Sequence, residues 1–197
     1  MDRLSHEMLA QVYFFGFSHS SVRDYCLSRL EDILVIGDEK MVSKMVEVAY
    51  NHIQDAEFSK LSEEILLRFA NDDRTSVRNS YLLHCNNLPV SSFPLFMSLS
   101  SNWKPSKMNE WYSVLEYVLR CCSVYPVECY SFVHQHKIIG QEEPWRYEDE
   151  LVKVLLAIYK KLKYNDDREM LEKLMDLFDE LILMGNRTVV SALETMS

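Results

Sequence analysis

The chain has 197 residues, of which 48% are hydrophobic, and a formal net charge of −9. This length can bury a core without disulfides or structural metals. The acidic balance argues against a nucleic-acid groove, which requires clustered Lys and Arg side chains. No apolar run approaches the roughly 20 residues that span a bilayer, so we expect a soluble protein with no membrane partner.

The cysteines predict a reducing compartment. There are five, an odd number, they lie within apolar helical patterns, and no secretory signal precedes them. We therefore expect a cytoplasmic protein in which these thiols are core residues. The cysteines are Cys26, Cys85, Cys121, Cys122 and Cys129.

Apolar periodicity predicts helices along the whole chain and no strand. The four glycines are expected just past apolar segments, and the five prolines fall in or beside the gaps between segments. Helix starts are marked by Asp38, Ser106, Asp167 and Asn186. The predicted helices span residues 3–15, 20–36, 39–53, 56–70, 74–87, 92–101, 106–124, 127–138, 148–163, 168–184 and 187–196.

The first predicted helix is apolar nearly all round. Met1–Phe17 ends in Val-Tyr-Phe-Phe, so a surface on each side of it has to be covered by neighbouring helices or by a partner. Two tryptophans, Trp103 and Trp145, fall instead in breaks between helices. Each is expected either to pack over the end of the core or to stand exposed as a binding anchor.

The clearest element is a helical hairpin over residues 149–183. Two helices with the same apolar spacing flank a four-residue polar break at Tyr164–Asp167. Other parts of the chain repeat one another at intervals of about 52–55 residues, which predicts three-helix units that stack on each other. The segments matched at this interval are SVR at 21–23 and 76–78, and EILLR at 64–68 and EYVLR at 116–120. KMVEVAY at 44–50 and KVLLAIY at 153–159 match at about two such intervals.

No residue cluster in the sequence predicts catalysis, a metal or a cofactor. His134 and His136 could both reach a metal from an extended segment, but on a helix they would point away from each other. Cys129 lies nearby, and the sequence has no second Cys–His pair with zinc-finger spacing. The serines and the histidine of segment 18–21 precede a helix and are expected to cap it rather than form a nucleophile. The carboxylates of Asp176, Asp179 and Glu180 are expected on a solvated helix face.

The pattern Asp73, Val77 and Arg78 resembles the turn and second helix of HEAT repeats. In that family the Val packs under the turn, and the Asp and Arg tie neighbouring units together. Val22 and Arg23 match the same positions in the preceding unit, which has serine where the Asp is expected. The resemblance implies an all-α, right-handed superhelical solenoid of about eleven helices.

The order of segments over residues 17–196 is also similar to the C-terminal helical repeats of STAND-type signalling ATPases, many of which are antiviral sensors in bacteria. The segments are Leu88-Pro89, LEYVL at 115–119, Tyr125-Pro126, LFDEL at 177–181 and Met184-Gly185-Asn186. The resemblance implies a ligand-sensing or protein-binding module. A Gly-rich loop ending in Gly-Lys-Ser or Gly-Lys-Thr does not occur in this sequence.

These observations predict one repeat domain over residues 1–197, with approximate units 1–36, 38–87, 91–138 and 147–197. We expect a non-catalytic scaffold or sensor that binds a protein partner. Two alternatives stay open. One is a nucleic-acid-acting HEAT-like protein of the DNA glycosylase type, which the charge opposes, and the other is a module that forms homo-oligomers.

Overall fold

The computed structural model describes residues 5–36, 38–72, 74–101, 111–136, 148–185 and 187–194. Within these ranges the protein contains eleven α-helices, two short 3-10 helices and no strand, which confirms the all-α prediction. The α-helices are α1 (His6–Ser18), α2 (Arg23–Ile36), α3 (Glu39–His52), α4 (Ser59–Phe69), α5 (Thr75–His84), α6 (Phe93–Ser100), α7 (Trp111–Cys121), α8 (Pro126–Gln135), α9 (Glu148–Tyr164), α10 (Arg168–Leu183) and α11 (Arg187–Glu194).

The chain divides into two compact units, Met1–Trp103 and Lys104–Ser197, which we call unit 1 and unit 2. The predicted single repeat domain and its four smaller units stay predictions. The repeated segments lie on α2 and α5, on α4 and α7, and on α3 and α9. Matched segments are thus three or six helices apart, as a three-helix repeat requires.

Unit 1 is built around α3. Helices α1, α4 and α5 all pack on α3, and α2 packs on α1. The Asp38 carboxylate caps α3 by accepting a hydrogen bond of 3.1 Å from the Met41 amide, as predicted. The buried side chains of α3 lie on more than one side of the helix, because it has neighbours on several sides. They are Met41, Val42, Met45, Val46, Val48, Ala49 and Tyr50.

Polar contacts join the helices of unit 1 at specific positions. The Ser43 and Ser80 hydroxyl oxygens lie 2.5 Å apart between α3 and α5. The buried Tyr81 hydroxyl donates to the carbonyl oxygen of Leu66 on α4 at 2.5 Å. Because a buried polar group is costly without a partner, these bonds fix how α5 lies against its two neighbours.

Unit 2 is built around α9. Helices α7, α8, α10 and α11 pack on α9, and its buried side chains again cover more than one side. These are Leu151, Val152, Val154, Leu155, Ile158 and Leu162.

The predicted hairpin of α9 and α10 is confirmed. Its turn closes α9 with a Schellman motif, in which the Asp167 amide donates to Leu162 O and the Asp166 amide to Lys163 O. Asp166 therefore takes a left-handed conformation, with φ of 54°. The Asp167 carboxylate then caps α10 by accepting from the Met170 amide at 3.2 Å.

One predicted helix boundary is wrong. We expected Gly16 to follow the first helix, but it lies inside α1, which continues to Ser18. The reason is a close approach of α1 and α2, since a Cβ atom added at Gly16 would lie 2.6 Å from Cys26 Sγ. Gly185 does follow its helix, with φ of 88°. Gly37, Gly140, Ser106 and Asn186 lie outside the described residues.

All five cysteines are buried free thiols, as predicted for core residues. The Ser-rich segment after Leu88 forms a 3-10 turn followed by the short helix α6. In the described part of the chain, each helix is too short or too polar to cross a bilayer.

Candidate functional site

An apolar stripe runs along the outer face of α1. Met8, Val12 and Phe15 are spaced like residues on one helix face, and their exposed fractions are 52%, 56% and 37%. We call these three residues the α1 stripe. The positions that continue the same face are Ser5 and His19, so the stripe carries no carboxylate although the protein is strongly acidic.

The opposite face of α1 is buried in unit 1. Ala10, Phe14 and Phe17 are at most 2% exposed. The first helix is therefore covered on one side by unit 1 and left open on the other. Neighbouring helices of unit 1 thus cover one side of its apolar surface, and cover of the α1 stripe by a partner stays a prediction.

Phe15, at the end of the α1 stripe, belongs to a cluster of four rings. Phe14, Phe15, His52 and Phe58 form six ring contacts, with centroids 5.2–5.8 Å apart. Aromatic pairs at these separations are attractive beyond the area they bury. Phe15 is thus an exposed side chain with a fixed position, and a fixed side chain loses less conformational entropy when a partner binds it.

Unit 2 has an open cleft between α8 and α10, with a volume of about 160 Å³. We call it the α8–α10 cleft. Its lining combines two rings, two carboxylates, an ammonium group and one apolar side chain. The lining residues are Tyr130, His134, Lys173, Asp176, Leu177 and Glu180.

The rings of Tyr130 and His134 form a stacked pair, which we call the ring platform. Tyr130 and His134 are one helical turn apart on α8, with centroids 5.8 Å apart and planes inclined by 20°. The Tyr130 hydroxyl donates to the Lys173 carbonyl oxygen on α10 at 3.3 Å, which ties the platform to the facing helix. Burial raises the pKa of Tyr130, the Lys173 ammonium opposes this shift, and the carboxylates of Asp176 and Glu180 add to it.

The cleft has an excess of negative charge. Asp176 and Glu180 have no ion-pair partner among the described residues, whereas the Lys173 ammonium is held 2.7 Å from Glu169 Oε1. Glu180 also lies in the last turn of α10, a turn that contains no basic residue. A carboxylate at this end of a helix is unfavourable, because the helix dipole places partial negative charge there.

The histidines considered as metal ligands are separated by the helix, as predicted. His134 is exposed, while His136 is 3% exposed and packs on Trp111 and Phe132. Cys129 lies in the core. Within the ranges that the structure describes, no three His, Cys, Asp or Glu side chains are placed to hold a metal ion.

The thiols of unit 2 are not arranged as nucleophiles. Cys122 and Cys129 both donate to the Val118 carbonyl oxygen, at 3.2 and 3.6 Å. A hydrogen bond with Cys122, together with burial, raises the pKa of Cys129 far above its ordinary value. Burial raises the pKa of Cys121 to about 11. Because the thiolate is the nucleophile, the raised pKa values disfavour a nucleophilic role for Cys121 and Cys129.

The other polar candidates take structural positions. The Ser18 hydroxyl donates to the Phe15 carbonyl oxygen at 2.6 Å, at the end of α1 rather than at the start of α2. The carboxylates of Asp176, Asp179 and Glu180 are exposed, as predicted. Trp103 and Trp145 lie outside the described residues.

The two HEAT-like motifs differ in burial. Val77 is fully buried on α5, as the resemblance implies, whereas Val22 is 41% exposed. Arg23 pairs instead with Glu64 on α4, at 3.4 Å. Asp73 lies outside the described residues.

The α8–α10 cleft is not predicted by the sequence. The sequence features that belong to the cleft are two pairs of residues four positions apart, Tyr130 with His134 on α8 and Asp176 with Glu180 on α10. Helix α9 lies between these two helices in the chain. Each pair alone is ordinary for a surface helix, and only the packing of both helices on α9 brings the pairs together. No protein-family model, curated protein or solved structure matches this chain.

Proposed function

We propose that the protein is a non-catalytic module that binds a protein partner, with the α1 stripe as its main contact. The observation that carries this proposal is a charge-free row of exposed Met8, Val12 and Phe15 on an acidic protein. Aromatic residues and Met are enriched at protein interfaces, and charged residues are depleted at their centres. The stripe has this composition.

The position of Phe15 supports the same function. Its ring contacts three other rings of unit 1 and is still 37% exposed. Residues that contribute most to binding are large, central and held in place before the partner arrives. Met8 and Val12 extend the same surface by two helical turns and supply apolar area around this anchor.

A pull-down with matched variants tests the proposal. Val12→Asp places a charge at the centre of the α1 stripe, and Val190→Asp places the same charge on another exposed helical valine, on α11. We expect proteins from the native host that are retained by wild type and by Val190→Asp but lost with Val12→Asp. Circular dichroism confirms that each variant is folded, and Met8→Asp provides a second variant at the stripe. Equal retention by all variants would refute the proposal.

Two narrower proposals come from the sequence alone. One is that the module is the sensor region of a bacterial antiviral STAND-type ATPase, and the other is that its repeats stack as a right-handed solenoid. The order of segments and the repeat spacing support them. Comparing host proteins retained with and without viral infection tests the first, and small-angle scattering tests the second.

Self-association is a second candidate function, favoured by the same stripe. Two copies of α1 that pair through this face would bring no carboxylates of the stripe together, so the net charge of −9 opposes the contact only at longer range. Sedimentation of wild type and Val12→Asp at two concentrations tests whether the protein self-associates through the α1 stripe. A mass that rises with concentration only in wild type supports self-association.

A further inference from the structure

The cleft on unit 2 is suited to a cation rather than to an anion or an apolar group. The stacked rings of Tyr130 and His134 on α8 line one side of the cleft, and the carboxylates of Asp176 and Glu180 on α10 line the other. The ammonium of Lys173 also lines the cleft but is paired with Glu169, so carboxylates outnumber ammonium groups there. Ring faces and carboxylates both attract positive charge.

The electrostatics of α10 indicate that the acidic pair is not there for stability. The C-terminal half of the helix carries three carboxylates, from Asp176, Asp179 and Glu180, and its last turn contains no basic residue. By contrast, the last turn of α9 contains Lys161 and Lys163, whose positive charges interact favourably with the partial negative charge at the end of the helix. A cation bound beside Asp176 and Glu180 would relieve the repulsion that α10 otherwise retains.

We propose that the α8–α10 cleft binds the guanidinium group of an arginine side chain from a protein partner. A guanidinium is planar, stacks on aromatic rings and donates paired hydrogen bonds to carboxylates, so it uses the ring platform and the acidic pair together. A lysine ammonium is compact and strongly hydrated and uses only the charge. This inference rests on the proposed function, because a protein partner supplies the arginine.

The partner therefore has two recognisable features. One is an apolar patch that covers the α1 stripe, and the other is a basic segment with an arginine for the cleft. Charge complementarity supports the second feature, since a basic segment is attracted by a protein with a net charge of −9. The two contacts lie on different units and can be broken separately.

A titration of the full chain with a small probe tests the cleft without the partner. The probe is N-acetyl-arginine methylamide, and the signals are the backbone amide resonances of Tyr130, His134, Asp176 and Glu180 in a nitrogen-15 spectrum. We expect saturable shifts at these residues with a dissociation constant on the order of 1 mM, because one ion pair with stacking is a weak interaction. The citrulline analogue, which has the same shape without the charge, is expected to cause no saturable shift.

Variants with equal charge changes test the named carboxylates. Asp176→Asn combined with Glu180→Gln removes the acidic pair and is expected to weaken binding of the arginine probe at least about tenfold. Glu172→Gln combined with Asp179→Asn removes the same charge from the same helix at positions that do not line the cleft. This control is expected to change the dissociation constant by less than about twofold.

Three outcomes would overturn the proposal. They are no saturable shift at the cleft, equal binding of the arginine and citrulline probes, and equal weakening by the two double variants. Spermidine distinguishes a free polyamine from a protein side chain, and tighter binding of spermidine than of the arginine probe would also refute it. Because these titrations need no partner, their failure leaves the pull-down at the α1 stripe unaffected, and failure of that pull-down leaves the titrations interpretable.

Discussion

The central helices of the two units, α3 and α9, contain segments with a similar apolar pattern but have different surroundings. When KMVEVAY at 44–50 is aligned with KVLLAIY at 153–159, the positions that are buried in one helix are mostly buried in the other. Two aligned pairs differ: Val48 and Tyr50 are buried, at 6% and 1% exposed, whereas Ala157 and Tyr159 are only partly buried. The shared apolar pattern therefore determines which helix is central in each unit. The neighbouring side chains determine whether the tyrosine at the end of the pattern is buried.

The neighbours of these two tyrosines explain the difference. In unit 1 the Tyr50 ring lies against Tyr81 and His84 of α5, with centroids 5.9 and 6.4 Å away. In unit 2 the Tyr159 ring lies below the Lys163 ammonium, 5.6 Å from its centroid. One ring therefore fills a core, and the other is covered by a flexible charged side chain.

The largest expected effect follows from this pair. Tyr50→Ala should lower the free energy of unfolding by about 3–5 kcal/mol, because it leaves a ring-sized cavity in a packed core. Tyr159→Ala should lower it by about 1 kcal/mol or less, because water replaces a partly exposed ring. Urea denaturation followed by circular dichroism measures both. Equal losses would mean that the two central helices are not packed as differently as the structure shows.

Each unit contains one glycine at which we expect a substitution to be costly. Gly16→Ala in unit 1 should cost about 1–3 kcal/mol, because the new methyl group meets Cys26 Sγ at 2.6 Å. Gly185→Ala in unit 2 should cost about 1–2 kcal/mol for a different reason, since its surroundings are open but its φ is 88°.

A double variant separates these two causes. In a Cys26→Ala background the clash is removed, so Gly16→Ala should become neutral or stabilising by up to about 1 kcal/mol through its higher helix propensity. The cost of Gly185→Ala should be the same in both backgrounds. An undiminished cost of Gly16→Ala without the sulfur atom would show that the close approach of α1 and α2 is not its cause.

The smallest expected effect concerns ion pairs. In unit 1 the Asp72 side chain is only 10% exposed, and its carboxylate accepts hydrogen bonds from Arg74 Nε at 2.8 Å and from the Arg74 amide at 3.2 Å. Asp72→Asn should cost about 1–2 kcal/mol at pH 7. Glu169→Gln in unit 2, which breaks the exposed pair with Lys173, should cause no measurable change at 0.15 M salt.

The pH dependence of the Asp72 variant has a definite sign. The Arg74 side chain holds the pKa of Asp72 below its ordinary value, so the folded state favours the carboxylate. This stabilisation is complete above the unfolded-state pKa of about 3.9 and is lost as the pH falls through the lower folded-state pKa. The difference between wild type and Asp72→Asn should therefore shrink below pH of about 4. A difference that is constant down to pH 2 would contradict the assignment.

Helices and their caps could be predicted from the sequence because those signals are local. Apolar spacing placed the α9–α10 hairpin, and the short side chains of Asp38 and Asp167 marked two helix starts that the structure confirms. Gly16 was misplaced because its role is tertiary. The sequence alone does not distinguish a glycine that ends a helix from a glycine that leaves room for the sulfur atom of a neighbouring helix.

The candidate sites were only half predictable. The apolar surplus of the first helix predicted a need for cover, but which face stays open depends on where α3 and α2 pack. The α8–α10 cleft could not be predicted, since the spacings of Tyr130 with His134 and of Asp176 with Glu180 acquire meaning only after α9 brings them together. Both limits arise because contacts between helices decide what a surface residue faces.

Each unit contains buried free thiols whose chemical modification reports transient opening of that unit. A thiol-specific reagent reaches these sulfur atoms only when the surrounding helices separate, so modification rates measure how often that happens. Cys26 and Cys85 follow unit 1, and the remaining three follow unit 2. Mass spectrometry of the modified cysteines therefore measures the opening rate of each unit separately, and no label has to be engineered into the chain.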